Sequence, residues 1–254
     1  MKIGVIGLGL IGGSIFKALS SNHKVVAVSR SVKGENISND YNILKDCDVV
    51  FVCTPMNATL EVLDKLNEIL APSTIVTDVC SLKEFVSNKK YNYKFIPSHP
   101  MAGTENSGWE FSFAEMFNGA KWVITPIDGE VLQEQDVLES LILEMKAEPI
   151  ITSAKDHDKA VALISHAPLV IAQALCQNIK DNKLAQALAS SGFRDTTRLA
   201  LSNTEMANDM VQMNRENINL ALEGIKDSIE AVIETDYLNN ANKIKNFRKN
   251  LYTK

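Results

Sequence analysis

The sequence predicts an α/β chain in which a doubly wound parallel sheet is followed by an all-α region. Three observations carry that expectation. From Lys2 to about Thr152, short β-branched runs alternate with helical stretches. A Gly-x-Gly-x-x-Gly run lies between the first strand and the first helix, and after Ser153 the strand signals stop. The division is expected between residues 1–152 and residues 153–254, and 254 residues with 45% hydrophobic content are ample for a sizeable core.

The expected strands are "KIGVIG", "KVVAVS", "DVVFVCTP", "STIVTDV", "KFIPSHP" and "KWVITP". Continuous apolar runs separated by helices indicate a parallel sheet covered on both faces. Between the third and fourth runs, Leu60, Leu63, Leu66, Ile69 and Leu70 recur at helical spacing, as a crossover helix requires. In the second half, Ser153 with Asp156 three residues later reads as a capped helix start before "HDKAVALISHAPLVIAQALCQNIK". From Thr204 to about Thr235 a single long helix is expected, with Met206, Met210, Met213, Leu220, Ile225, Ile229 and Val232 along it. Such an apolar face needs a partner, and a homodimer through the C-terminal helices is the expected one.

Twenty-six Lys and Arg against 31 Asp and Glu leave a net charge of -5. That balance offers no basic footprint for nucleic acid or an anionic membrane and directs attention to a small-molecule partner. Cys47, Cys53, Cys80 and Cys176 form neither a CxxC pair nor a Cys/His cluster, so no disulfide framework and no metal site is expected. The chain opens on a strand, without a charged leader, and lacks a run of about 18 apolar residues. A soluble, cytoplasmic protein is expected.

"GLGLIG", Gly7 to Gly12, matches the dinucleotide fingerprint of a Rossmann-type sheet in its proper place between strand and helix. Gly7, Gly9 and Gly12 permit a tight turn and close backbone approach to a pyrophosphate, with Leu10 and Ile11 opening the helix that faces it. Thr54 and Pro55, closing the third strand, complete the expected cofactor set. The second strand does not end on the acid that would hold the ribose of NAD. It ends on Ser29, Arg30 and Ser31, a set suited to a 2′-phosphate, which points to NADP over NAD without excluding the latter.

Ligands of an open α/β sheet lie beyond the carboxyl ends of its strands. His99 ends the strand "KFIPS", and Pro100 after it restricts its backbone, so this imidazole is the candidate proton acceptor for an alcohol. Ser81, in "TDVCSLK", is a candidate both to share a hydrogen bond with that hydroxyl and to cap a helix, two compatible roles. In "SGFRDTTRLA", Arg194 and Arg198 are four apart and are expected to share a helix face, with Asp195 between them. The spacing is equally suited to a carboxylate clamp and to a surface ion pair. His157 and His166 lie nine residues apart, opposite each other on a straight helix. Pro168, which removes the bond to the Ile164 carbonyl, makes His166 the preferred active-site member and leaves His157 beside Asp158 as equally a structural residue.

Taken together, "GLGLIGGS", "DVCSLK", "SHPMAGTENSG", "HDKAVALISHAP" and "SGFRDTTRLA" resemble, in order and spacing, the prephenate/arogenate dehydrogenases of tyrosine biosynthesis, over about residues 1 to 240. The resemblance implies oxidative decarboxylation of a cyclohexadienol that bears a ring carboxylate. It also implies roles: His99 takes the hydroxyl proton, Ser81 orients the pair, and Arg198 binds the ring carboxylate. Glu105 and Asp195 would form an ionic network with Arg198, Gly103 would permit close approach, and His166 would line the substrate site. Two positions depart from the prephenate-type pattern: Leu169 stands where a second histidine is frequent, and Ala207 where a tryptophan is frequent. Both departures, with the "VSR" of the second strand, resemble the arogenate-using, NADP-preferring branch. A monofunctional enzyme is expected. The alternatives are a dehydrogenase of the β-hydroxyacid type, which would require a lysine in the helical half, and a non-catalytic NADP sensor.

Overall fold

The computed structural model describes residues 1–104, 106–127, 133–234 and 236–253. Among these, six strands form one parallel sheet: β1 (Lys2–Ile6), β2 (Lys24–Val28), β3 (Ile37–Ser38), β4 (Val49–Val52), β5 (Ile75–Asp78) and β6 (Lys94–Phe95), in the order β3-β2-β1-β4-β5-β6. The order reverses between β1 and β4, which opens the crevice where doubly wound sheets bind their ligands. Helices α1 (Leu10–Leu19), α2 (Met56–Leu66) and the short α3 (Glu84–Ser87) are the connections. Both faces of the sheet are buried, as the continuous apolar runs require. Ile3, Val5, Val49 and Phe51 pack on one side with Ile15 and Leu19 of α1, while Val50 and Val52 pack on the other with Leu63 and Leu66 of α2. Each such side chain contributes about 1.5–3 kcal/mol.

Of the last two expected strands, only the first part of "KFIPSHP" extends this sheet. "KFIPSHP" is two strands, β6 and β7 (Ser98–Pro100), and β7 belongs to a second sheet with β8 (Lys121–Ile124) and β9 (Glu148–Ile151). The change of partner happens at Pro97. The Ile96 amide still donates to Val76 at 2.9 Å, Pro97 has no amide to continue the ladder, and its carbonyl accepts from Thr125 at 3.0 Å. β7 runs antiparallel to β8, with His99 opposite Val123, and β9 is parallel to β8. Between them, α4 (Gln135–Glu144) packs Leu138 and Leu141 into the core shared by Trp122 and Phe51, whose rings meet edge-on at 6.3 Å and join the two sheets.

The rest is helical: α5 (Ala154–Val161), α6 (Ala167–Asn178), α7 (Lys183–Leu188), α8 (Ser191–Thr196), α9 (Thr204–Met213), α10 (Arg215–Glu234) and α11 (Tyr237–Tyr252). α5 starts as the capping pattern predicts, with Ser153 Oγ accepting from the Asp156 amide at 3.0 Å. Ala162–His166, between α5 and α6, is a π-helical turn, and the Ala167 amide donates five residues back to Ala162. The distortion lies directly before Pro168, in the first turn of α6. The single long helix expected from Thr204 is two helices meeting at Asn214, whose side-chain amide donates to the Asp158 carbonyl at 2.9 Å and contacts His166 Nδ1 at 3.1 Å. By length and composition the run Ala154–Asn178 is apolar enough to cross a bilayer, yet its His157, Asp158 and His166 are buried within the protein.

Candidate active site

At the nucleotide end the three fingerprint glycines do different work. Gly7 has φ +88°, and a side chain there would strike the Cys53 carbonyl at 2.5 Å. A side chain at Gly12 would fall 1.9 Å from the Gly7 carbonyl, so only glycine lets α1 pack this close to β1. Around Gly9 a side chain would meet nothing within 4 Å, and this N-cap residue makes no side-chain capping bond. The backbone donors at Leu10 and Ile11 therefore head an uncapped helix, an arrangement that fits a diphosphate. Beyond β2, Arg30 and Ser31 are exposed, whereas Ser29 is buried and its Oγ accepts from the Val32 amide at 3.0 Å. Ser29 thus shapes the turn that presents the other two. Thr54 is half-buried with Oγ1 2.9 Å from Thr59 Oγ1, and Pro55 is the N-cap of α2.

Past the carboxyl end of β5, a buried network fixes the segment that carries Ser81 against the one that carries His99. Asp78 accepts from the Cys80 amide at 2.9 Å, from the Ser98 amide at 3.3 Å and from Lys83 Nζ, and Lys83 Nζ also donates to the Ser98 carbonyl at 2.6 Å. Lys83 and Asp78 are fully buried, as is Ser98, whose hydroxyl donates to the Asp78 carbonyl and accepts from Trp122 Nε1 at 2.9 Å. Ser81 is half-buried and is not the helix cap considered from sequence, since the N-cap of α3 is Lys83. The first amides of α3, those of Lys83 and Glu84, are held by the Asp158 carboxylate at 2.8 and 3.0 Å, from the helical half of the chain.

His99 is half-buried, with Nδ1 2.9 Å from His157 Nε2, and His157 Nδ1 lies 2.7 Å from Asp158 Oδ1. Burial, then the neighbouring His157, Lys83 and His166, hold the His99 pKa well below the ordinary 6.5, so the ring is neutral and available as a proton acceptor. His166 is buried, its Nε2 has no partner among the described residues, and burial pushes its pKa down to about 4, against the raising effect of Asp158. The straight-helix geometry that set His157 and His166 on opposite sides does not hold. The π-helical turn takes in one extra residue, which sets back all that follows by about 100° and leaves the two rings roughly a quarter-turn apart. Both histidines therefore sit beside His99.

Arg194 and Arg198 do not share one helix face, because α8 ends at Thr196 and Arg198 begins a separate 3-10 turn, Arg198–Leu201. Asp195 pairs with Arg194, at 3.3 Å between exposed side chains. Arg198 is exposed, and its neighbour Leu199 packs into a cluster of Met56, Cys80, Leu82 and Met101 from the first half with Val161, Leu169, Ala207 and Met210 from the second. Leu82 follows Ser81 and Met101 follows the His99 strand, so this cluster packs the chain neighbours of Ser81, His99 and Arg198 together. Gly103 stands in open space, where a side chain would meet nothing within 4 Å, and Glu105 lies outside the described residues. Leu169 and Ala207, the two departures, are both buried in that one cluster.

Sequence reasoning missed Asp78 and Lys83 and underrated His157 with Asp158. A charged pair five residues apart, flanking an otherwise apolar strand end, was the available signal for the first. For the second it was an acid directly beside a histidine at the start of the helix that continues into Pro168.

The family models for the prephenate dehydrogenase nucleotide-binding domain and dimerization domain match residues 17–151 and 153–251. Prephenate dehydrogenase of Lactococcus lactis is 30% identical, over 91% of this chain and 70% of its own length. Cyclohexadienyl dehydrogenase of Zymomonas mobilis is 30% identical over 84% of this chain and 80% of its own. The solved structure of Synechocystis arogenate dehydrogenase matches over 100% of both chains, with a TM-score of 0.84 and 31% identity. With both family models matched across the two halves and the fold shared end to end, the chain belongs to the prephenate dehydrogenase family of oxidoreductases.

Proposed function

We propose that residues 1–152 bind a nicotinamide dinucleotide, that residues 153–254 complete the substrate site and the dimer, and that the chain oxidatively decarboxylates a cyclohexadienol, prephenate or arogenate. The observation that carries this reading is His99: a neutral imidazole on a strand, hydrogen-bonded to His157 of the helical half. When bound, an oxidised nicotinamide supplies the acceptor for the hydride of the carbinol carbon. His99 takes the hydroxyl proton, and the electron pair of the O–H bond becomes the new carbonyl bond. Ser81 orients the hydroxyl, and Arg198 holds the ring carboxylate until carbon dioxide departs and the ring becomes aromatic. Glu105, Asp195, Gly103 and His166 complete the substrate side of this assignment.

Gly7, Gly9, Leu10, Ile11, Gly12, Thr54 and Pro55 hold the diphosphate end, and Arg30 with Ser31 favours NADP over NAD. The buried Leu169 and Ala207 remove a polar and an aromatic contact and lean the reading towards arogenate. Support for a homodimer comes from the matched dimerization domain and from apolar side chains exposed on the C-terminal helices, such as Leu220, Ile229, Ile233 and Phe247. Four free cysteines suit a reducing, cytoplasmic compartment.

Reduced-nicotinamide formation, measured with prephenate and arogenate each paired with NAD and NADP, tests the reading. Turnover is expected, fastest with arogenate and NADP. Cofactor binding without turnover in all four mixtures would replace it with the NADP-sensing alternative.

A further inference from the structure

Asp158, His157 and His99 form a directed chain. A carboxylate only accepts, so His157 Nδ1, 2.7 Å from Asp158 Oδ1, carries the hydrogen. With a single hydrogen on His157, at Nδ1, its Nε2 accepts, and across the 2.9 Å contact His99 Nδ1 is the donor. The remaining nitrogen of His99, Nε2, is thereby the unprotonated one, with no hydrogen-bond partner among the described residues. Asp158 is itself held, because the Lys83 and Glu84 amides bind its two oxygens and Asn214 binds its carbonyl.

We propose, resting on the functional reading above, that His157 backed by Asp158 is a positioning residue for the reaction: it fixes His99 with Nε2 bare, and it receives the proton that His99 passes on. The substrate O–H bond breaks as His99 Nε2–H forms, and the His99 Nδ1–H bond breaks as His157 Nε2–H forms. The pair gains one proton and one positive charge, which ends on His157 against the Asp158 carboxylate rather than beside the substrate. The groups facing the pair are Asp158 on α5, Lys83 at the start of α3, His166 on the π-turn and, through its backbone, Glu84. Of these only Asp158 offers a negative side chain in hydrogen-bonding contact with His157.

The same chain loses its base when a proton is added to the far end. A proton already on His157 Nε2 makes it the donor to His99 Nδ1, which forces hydrogen onto His99 Nε2 and removes the base.

Nitrogen-15 spectra of the histidine side chains in the protein without substrate, with pH profiles of kcat, test the proposal. His99 is expected as the Nδ1–H form in the wild type, and an Nε2–H form would overturn the chain. His157→Leu is expected to lower kcat by roughly 10²- to 10⁴-fold with cofactor Kd within about twofold. His157→Gln, which keeps an acceptor for Nδ1–H but takes no proton, is expected to recover part of that loss. Asp158→Asn removes the charge that favours the imidazolium, so the acid limb of kcat is expected to move to lower pH by roughly one unit. A stable variant with a lower plateau and an unmoved limb would make Asp158 a helix cap only and overturn the proposal. Absence of cyclohexadienol turnover in the wild type would sink the functional reading instead, and the spectra would still decide the His99 tautomer.

Discussion

His99 and His157, 58 residues apart in sequence, meet nitrogen to nitrogen at 2.9 Å and join a strand end of the first half to the first helix of the second. The contact ties the His99 imidazole to both halves of the chain, and its neutral form follows first from burial. His99→Asn is therefore expected to lower kcat by roughly 10²- to 10⁴-fold and to leave cofactor affinity nearly unchanged. Steady-state rates and a cofactor titration check it, and unchanged turnover would remove His99 from the reaction.

The buried Lys83–Asp78 pair holds the Ser81 segment against β7. Removing one partner strands the other charge, so Lys83→Met is expected to destabilise the protein by about 3–5 kcal/mol in urea denaturation. Asp78→Asn with Lys83→Met is expected to recover part of that. A loss below about 1 kcal/mol would rank the pair with surface ion pairs.

His166 titrates at about 4 in the folded chain against an ordinary 6.5. Between those values the unfolded state binds more protons, so stability is expected to fall as pH drops from about 6.5 to about 4, by up to roughly 3 kcal/mol. Denaturation midpoints of the wild type and His166→Gln at pH 7 and pH 4.5 check this, the variant losing less. Parallel losses would assign acid sensitivity to other groups.

Arg30 stands exposed at the end of β2, where an acid would serve NAD. Arg30→Ala is expected to weaken NADP by roughly tenfold or more and NAD much less. Equal weakening in paired titrations would contradict a phosphate contact.

Much of this was legible in the chain. The fingerprint between β1 and α1, the crossover pattern of α2 and the Ser153 cap are local features, and local chemistry decides them. What stayed hidden depends on residues far apart. Apolar alternation does not distinguish parallel from antiparallel pairing, so the transfer of "KFIPSHP" from one sheet to the other at Pro97 was invisible. The phase of His157 and His166 assumed a regular helix, and a π-turn changes it by one residue. Asn214 reads as an ordinary helix residue until Asp158 and His166 are found on its side chain.

Asp158 closes the end of α3 with its two oxygens and anchors His157 with one of them. One carboxylate thus ties the two halves of the chain together and anchors the ring that faces His99, so its loss is felt in both places at once.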